Sequence, residues 1–361
     1  MRYQTRIQRT LAGDPVNRGR VYRLLAALAV TSGQHQETLN YLNQALAIFE
    51  QEDQQREIAI VCVNLGDLYL RIAKHALAQD VLHRAFTIFE RMGDRANMSV
   101  CLGNLGILAA RTGDLTTAEA QYKRALTLAQ HINDPGYISL WYGYLAAALL
   151  DQGKLTEAAW ALCRALSVSR DAQLADCSGF NLVVLGSLRL AQALERQVPA
   201  SVWQRQLGRA ESTLKHALAV KGLEAETSIE AQVMLARVAL LQGNLEDALQ
   251  QAMYVLNEAR TSESSWLVAR ASGLIGSILA TQNHYEQAEG YFAQALQVSH
   301  ASGMRLEEAR ILYSYGIALL RQKQGEQSGQ NALQEAHQIF RECHASLDLH
   351  LAERLSFPGE P

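Results

Sequence analysis

The stretch VCVNLGDLYLRIAKHALAQDVLHRAF, from Val61 to Phe86, decides the fold. Cys62, Leu65 and Tyr69 stand at i, i+3 and i+7, one apolar face of a helix, and Ala78, Leu82 and Ala85 make such a face on a second. The Leu65-Gly66 pair then recurs in both directions. Leu25-Ala26, Leu105-Gly106, Leu145-Ala146, Leu185-Gly186, Leu235-Ala236, Ile275-Gly276 and Tyr315-Gly316 follow it at steps of 40 residues, with one step of 50. Seven residues after the small residue come Gly33, Gly113, Gly153 and Gly243, with Ala73 and Asn283 at the same place in two copies. These read as turns, because glycine and asparagine tolerate the left-handed conformation that ends a helix. A third marker, Ala45-Leu46, Ala85-Phe86, Ala125-Leu126, Ala165-Leu166 and Ala295-Leu296, lies on the second helix. Asp14-Pro15, Asp53, Asp94 and Asp134-Pro135 recur about every 40 residues and read as helix starts.

Eight helical hairpins are therefore visible, and a hairpin of this size cannot cover its own apolar faces, so consecutive copies stack and share a core. The expected organisation is a partial helix over 1–13 and repeats over 14–52, 53–93, 94–133, 134–173, 174–223, 224–263, 264–303 and 304–345. A capping helix with a loose tail is expected over 346–361. Tyr3, Ile7 and Leu11 mark the partial helix, which resembles the tail of an earlier hairpin, and Leu347, Leu351 and Leu355 mark the cap. The long step is expected to lengthen both helices of the fifth copy, with a turn near Pro199 and Trp203 near the hairpin tip.

Leu65-Gly66, Tyr69, Ala78 and Ala85, matched by Leu105-Gly106, Gly113, Ala118, Tyr122 and Ala125, resemble the tetratricopeptide repeat signature over about residues 16 to 345. The spacing of 40 exceeds the usual 34 or so, and the proline that closes the second helix is absent. Such long repeats are similar to those of kinesin light chains and to the C-terminal arrays of bacterial signal-transducing ATPases and LuxR-type (MalT-like) regulators. The resemblance implies an all-α fold, a right-handed α-solenoid of about eight stacked hairpins whose first helices line a concave groove.

Taking Gly66 as reference, residues six and two before it and one and five after it form one stripe on that face. The stripe reads Ile60, Asn64, Asp67 and Arg71, then Val100, Asn104, Ile107 and Arg111, then Leu140, Tyr144, Ala147 and Asp151, then Phe180, Val184, Ser187 and Ala191. In the last three copies it reads Glu230, Met234, Arg237 and Leu241, then Arg270, Leu274, Ser277 and Thr281, then Arg310, Ser314, Ile317 and Arg321. The groove is thus polar at both ends and apolar midway. Asn64 and Asn104 resemble the asparagine ladder of peptide-binding tetratricopeptide grooves, since an amide donates to and accepts from a peptide backbone at once; the alternative is an ordinary exposed polar position. Arg237, Arg270, Arg310 and Arg321 form either a site for carboxylate or phosphate or a solvated face paired with Glu230, Glu307 and Glu308. Phe180, Val184 and Met234 serve either an apolar anchor or the core.

The formal charge of -3 gives no general attraction for nucleic acid. Five cysteines, Cys62, Cys101, Cys163, Cys177 and Cys343, lack metal-type spacing and fit a reducing cytoplasm. Leu24 to Val30 has the look of a short signal-peptide core but falls in step with the repeat, and no apolar run reaches the roughly 18 residues of a membrane span. There is no P-loop and no HExxH, and Cys343, His344 and His350 are spread along one segment. The expectation is a non-catalytic array without cofactor or metal that binds a peptide or partner protein, with no direct role for nucleic acid or membrane. A small-molecule inducer and a regulatory subunit of a protease or phosphatase are the alternatives.

Overall fold

The computed structural model describes residues 14–31, 33–195, 199–322 and 325–355, and the expected helix over 1–13 and tail over 356–361 lie outside them. Among the described residues the chain is helical throughout, without strands. Its helices pair in chain order: α1 (Pro15–Thr31) with α2 (His35–Gln51), α3 (Gln55–Arg71) with α4 (His75–Met92), α5 (Arg95–Thr112) with α6 (Leu115–His131), and α7 (Pro135–Asp151) with α8 (Leu155–Asp171). Then come α9 (Ala175–Glu195) with α10 (Ala200–Leu218), α11 (Ala225–Gln242) with α12 (Leu245–Thr261), α13 (Ser265–Thr281) with α14 (Tyr285–Ala301), and α15 (Arg305–Arg321) with α16 (Glu326–Glu342); α17 (Ser346–Leu355) closes the series.

The small residue in each first helix is there because the second helix lies against it. A Cβ added to Gly106 would stand 2.6 Å from the Tyr122 ring, and one on Gly66 would stand 2.6 Å from Leu82. Ala78, Ala85, Ala118, Ala125, Ala158 and Ala165 supply the facing surface and are fully buried. Serines placed seven residues before the small residue add a repeated polar tie. Ser99 and Ser139 donate to the carbonyls of Ala125 and Ala165 at 2.8 and 3.0 Å, and Trp141 Nε1 donates to Ser99 Oγ at 2.9 Å. Inside a core these bonds matter because an unpaired hydroxyl there costs about 1–3 kcal/mol.

The turns follow the spacing. Gly113 (φ 90°) and Ala73 (φ 55°) both take the left-handed conformation, the second without the freedom of glycine. Asp94 and Asp134 cap α5 and α7 by accepting from the amides of Asn97 and Tyr137 at 3.2 and 3.0 Å. Asp53 does not cap: it occupies the left-handed turn itself (φ 47°), and Gln54 precedes α3. Asp114, with no counterpart in the reading of helix starts, caps α6 through the amide of Thr117. The fifth pair is lengthened, to 21 and 19 residues, and Trp203 packs beside its core.

First helices touch one another from copy to copy and form an inner layer; second helices stand outside it. The stack also winds back on itself. The His35 imidazole meets the Ser262 carbonyl at 2.8 Å, α15 packs on α5, and α17 packs on α7 and α9. Leu115, at the start of α6, is buried with Leu306, Ala309 and Cys343. The eighth copy and the cap therefore sit against the third, fourth and fifth, and the concave side narrows into a lumen. One segment, Cys177–Leu194 in α9, is long and apolar enough to cross a membrane by composition, and half of it is buried in the protein. Its apolarity has a local cause: Val183 and Leu190 join one core, while Val184, Leu188 and Ala191 join another.

Candidate functional site

The inner helices build a chamber of about 250 Å³ in the lumen. One wall is apolar and aromatic. Tyr144 stacks on Tyr122 (5.6 Å between centroids) and leans on Phe180 (4.5 Å), and Ala147, Val184, Ala191 and Met234 continue the surface. The opposite side is charged. Four arginines, Arg111, Arg237, Arg270 and Arg310, face six carboxylates, those of Asp151, Glu224, Glu226, Glu230, Glu307 and Asp348.

Most of these charges hold one another. Glu226 on α11 accepts from Arg111 at 3.1 Å and Arg71 at 3.2 Å, joining α11 to α5 and α3 across the lumen. Burial opposes ionisation of Glu226, yet the Arg111 and Arg71 charges prevail and keep its carboxyl below the usual range. Arg71 also binds Glu224 at 2.6 Å and Asp67 at 3.0 Å. The guanidinium groups of Arg111 and Arg270 lie over the Trp266 ring, 5.3 and 4.8 Å from its centroid. Arg270 pairs with Glu230 at 3.1 Å, but burial outweighs that charge and pushes the Glu230 carboxyl upward. Arg310 binds Asp151 at 2.6 Å and Asp348 at 2.8 Å, tying α15 to α7 and α17.

Arg237 differs. It lines the chamber on the same face of α11 as Glu230 and Met234, with its side chain open to the chamber space and no hydrogen bond or ion pair to any described residue. Surrounding protein, followed by the nearby Arg310 charge, disfavours its protonated form.

Of the residues singled out in the sequence, the structure brings Arg111, Tyr144, Arg237, Arg270 and Arg310 together in this chamber. Asn64, Asp67, Arg71, Asn104 and Arg321 do not line it: Asn104 is buried, Asn64 is half-buried, and Arg321 is exposed at the end of α15. Glu226 and Trp266 were missed, although each lies one helical turn before a stripe residue, Glu230 and Arg270, so extending the stripe would have found them. Leu347, Asp348 and Leu351 arrive on α17 only through the winding, and no local pattern announces them. Among the described residues no cluster of three His, Cys, Asp or Glu side chains is placed to hold a metal. No disulfide joins the cysteines among the described residues, and burial pushes the Cys62 and Cys101 thiols up to about 11 and about 12, which makes them poor nucleophiles at neutral pH.

A tetratricopeptide repeat family model matches residues 56–131, and a second model of the same description matches residues 104–172 and 274–341. The chain carries tetratricopeptide repeats. The array is similar in fold to a Rap conjugation gene regulator of the plasmid pLS20 in complex with the Phr* peptide, at TM-score 0.64 and 12% identity, covering 92% of this chain and 97% of that one. It also resembles a Rap protein complexed with competence and sporulation factor (TM-score 0.55, 10% identity, 94% of this chain and 97% of that one). The apo form of RapI is a further solved relative in fold (TM-score 0.55, 12% identity, 78% of this chain and 98% of that one). At these identities the likeness establishes the tetratricopeptide solenoid and leaves the ligand to the chamber's own chemistry. Comparison with curated protein sequences finds no match.

Proposed function

We propose that this tetratricopeptide array is a non-catalytic regulatory protein that captures a short peptide in its lumen. The observation that carries the reading is the two-sided chamber, in which an aromatic and aliphatic wall faces ordered arginines and carboxylates. A site of that composition gives a ligand both apolar burial and orientation, as small-ligand sites do. A structure of the same fold in complex with a peptide supports the choice of occupant. The volume falls just below the roughly 300–1,000 Å³ range of small-molecule sites, which favours a short peptide or one end of a longer segment over a folded partner. The same volume keeps a small inducer as the second reading. Within this proposal Arg111, Tyr144, Arg237, Arg270 and Arg310 touch the ligand, while Asn64, Asp67, Arg71, Asn104 and Arg321 lie outside the chamber. A cytoplasmic setting, on the strength of the cysteine usage, and a larger LuxR-type (MalT-like) parent, on the strength of the repeat pattern, remain part of the proposal.

The test is retention of random tripeptides by the immobilised chain, read by mass spectrometry, beside Ala147→Trp, which fills the chamber. We expect defined peptides on the wild type and at least tenfold less on the variant, with unchanged helix content. Equal retention by both, or none by either, contradicts the reading. A thermal-shift screen of metabolites separates the second reading, since a ligand at 100 times its Kd adds about 2.7 kcal/mol of stability.

A further inference from the structure

Arg237 is the one chamber arginine with no hydrogen bond or ion pair to a described residue. Arg111 is held by Glu226, Arg270 by Glu230, and Arg310 by Asp151 and Asp348. The Arg237 side chain is exposed within the chamber, so its guanidinium donors face an incoming anion rather than a protein partner. Carboxylate suits a guanidinium because the two planar groups meet through paired N–H···O bonds. A simple anion is nevertheless the wrong ligand. The chamber lining carries two more carboxylates than arginines; Arg71, just outside the lining, engages Glu224 and Glu226, and carboxylates still outnumber arginines where Arg310 is shared among Asp151, Asp348 and, at 3.8 Å, Glu307, which Arg270 also approaches at 3.8 Å. Asp348 and Glu307 are also the acidic groups whose charges reach Arg237. An anion alone would add to that excess, whereas a cation alone would leave Arg237 unanswered.

Resting on the reading of the lumen as a peptide site, we infer that the chamber selects a zwitterionic ligand: a peptide with a free α-carboxylate on Arg237 and an ammonium group toward Asp348 and Glu307. Its apolar side chains lie on Tyr144 and Phe180. Recognition therefore requires both free ends of a very short chain, or a free C-terminus and a basic side chain on a longer one.

The experiment presents one random tripeptide mixture in three forms, with free ends, N-acetylated, and C-amidated, to the immobilised full chain. We expect the free form to be retained at least tenfold better than the amidated form, and Arg237→Gln to abolish that preference. Arg237→Lys, which keeps the charge, should retain part of it. Longer peptides with a basic residue and an acetylated N-terminus, if retained, identify the second source of the cation. Retention of all three tripeptide forms alike overturns this inference and leaves the peptide site standing. Retention of none overturns both. The comparison on the wild-type chain needs no variant, and Arg237→Gln should melt no lower than wild type when unliganded, because it breaks no hydrogen bond or ion pair to a described residue.

Discussion

Gly106 shows how closely single positions are set. With Tyr122 fully buried and its rigid ring 2.6 Å from where a Cβ would stand, the two helices have to separate to admit even a methyl group. Gly106→Ala should therefore cost about 1–3 kcal/mol, the usual penalty of overpacking, although alanine is the better helix former. Equilibrium urea unfolding checks this, and a variant as stable as wild type would mean the pair yields freely. Glu119 is set electrostatically. Burial opposes its ionisation, but hydrogen bonds from Lys123, Lys154 and Gln152 outweigh burial and bring its carboxyl from 4.5 down to about 2. Because the folded value is depressed, this contribution is present above about 4.5 and is lost as pH falls from there towards about 2. Discounted for solvent screening it amounts to about 1–2 kcal/mol. Glu119→Gln should be less stable at pH 7 and should show a shallower acid dependence in urea midpoints taken from pH 6 to pH 3. An unchanged slope would show that the lysines contribute nothing.

At the scale of elements, the inner helices are joined twice: by apolar faces between neighbours, and by ion pairs between helices far apart in the chain. Arg71 and Glu226 are separated by 155 residues, and Arg310 and Asp151 by 159. Neighbour packing alone would leave an open spiral; the distant ion pairs, with the distant apolar contact of Leu115 against Leu306, Ala309 and Cys343, hold it wound. Glu226 is the clearest case, since it stands between two arginines on α3 and α5. Removing Glu226 leaves Arg111 without its carboxylate, while Arg71 keeps Glu224 and Asp67, so Glu226→Gln should cost about 3 kcal/mol and enlarge the radius of gyration measured by small-angle X-ray scattering. A variant with wild-type stability and radius would show that apolar packing sets the winding. The cap α17 acts in the same way from the other end, placing Asp348 against Arg310 while Leu347 and Leu351 line the chamber.

For the whole molecule, the 40-residue step made the hairpins, the left-handed turns at Gly113 and Ala73, and the inward stripe legible before any coordinates. Those features repeat locally, so local spacing carries them. The winding was not legible, because it accumulates from small rotations between copies, and no single residue encodes their sum. Its consequence is that a groove read as polar at both ends and apolar midway becomes one chamber in which the charged late copies face the apolar middle ones. Arg71 illustrates the loss: its stripe position marked it as a ligand contact, but Glu224 and Glu226, brought from the sixth copy, engage its guanidinium. Arg237 illustrates the gain, since only the wound form shows that the other three chamber arginines are ion-paired and that it has no ion pair to a described residue. The central claim is that ligand is taken inside the winding, and hydrogen–deuterium exchange of the full chain with and without a retained peptide tests it most directly. The account predicts new protection on α7, α9, α11 and α15, with the outer helices unchanged. Protection confined to α4, α8, α12 or α14 would place the ligand on the convex face and contradict it.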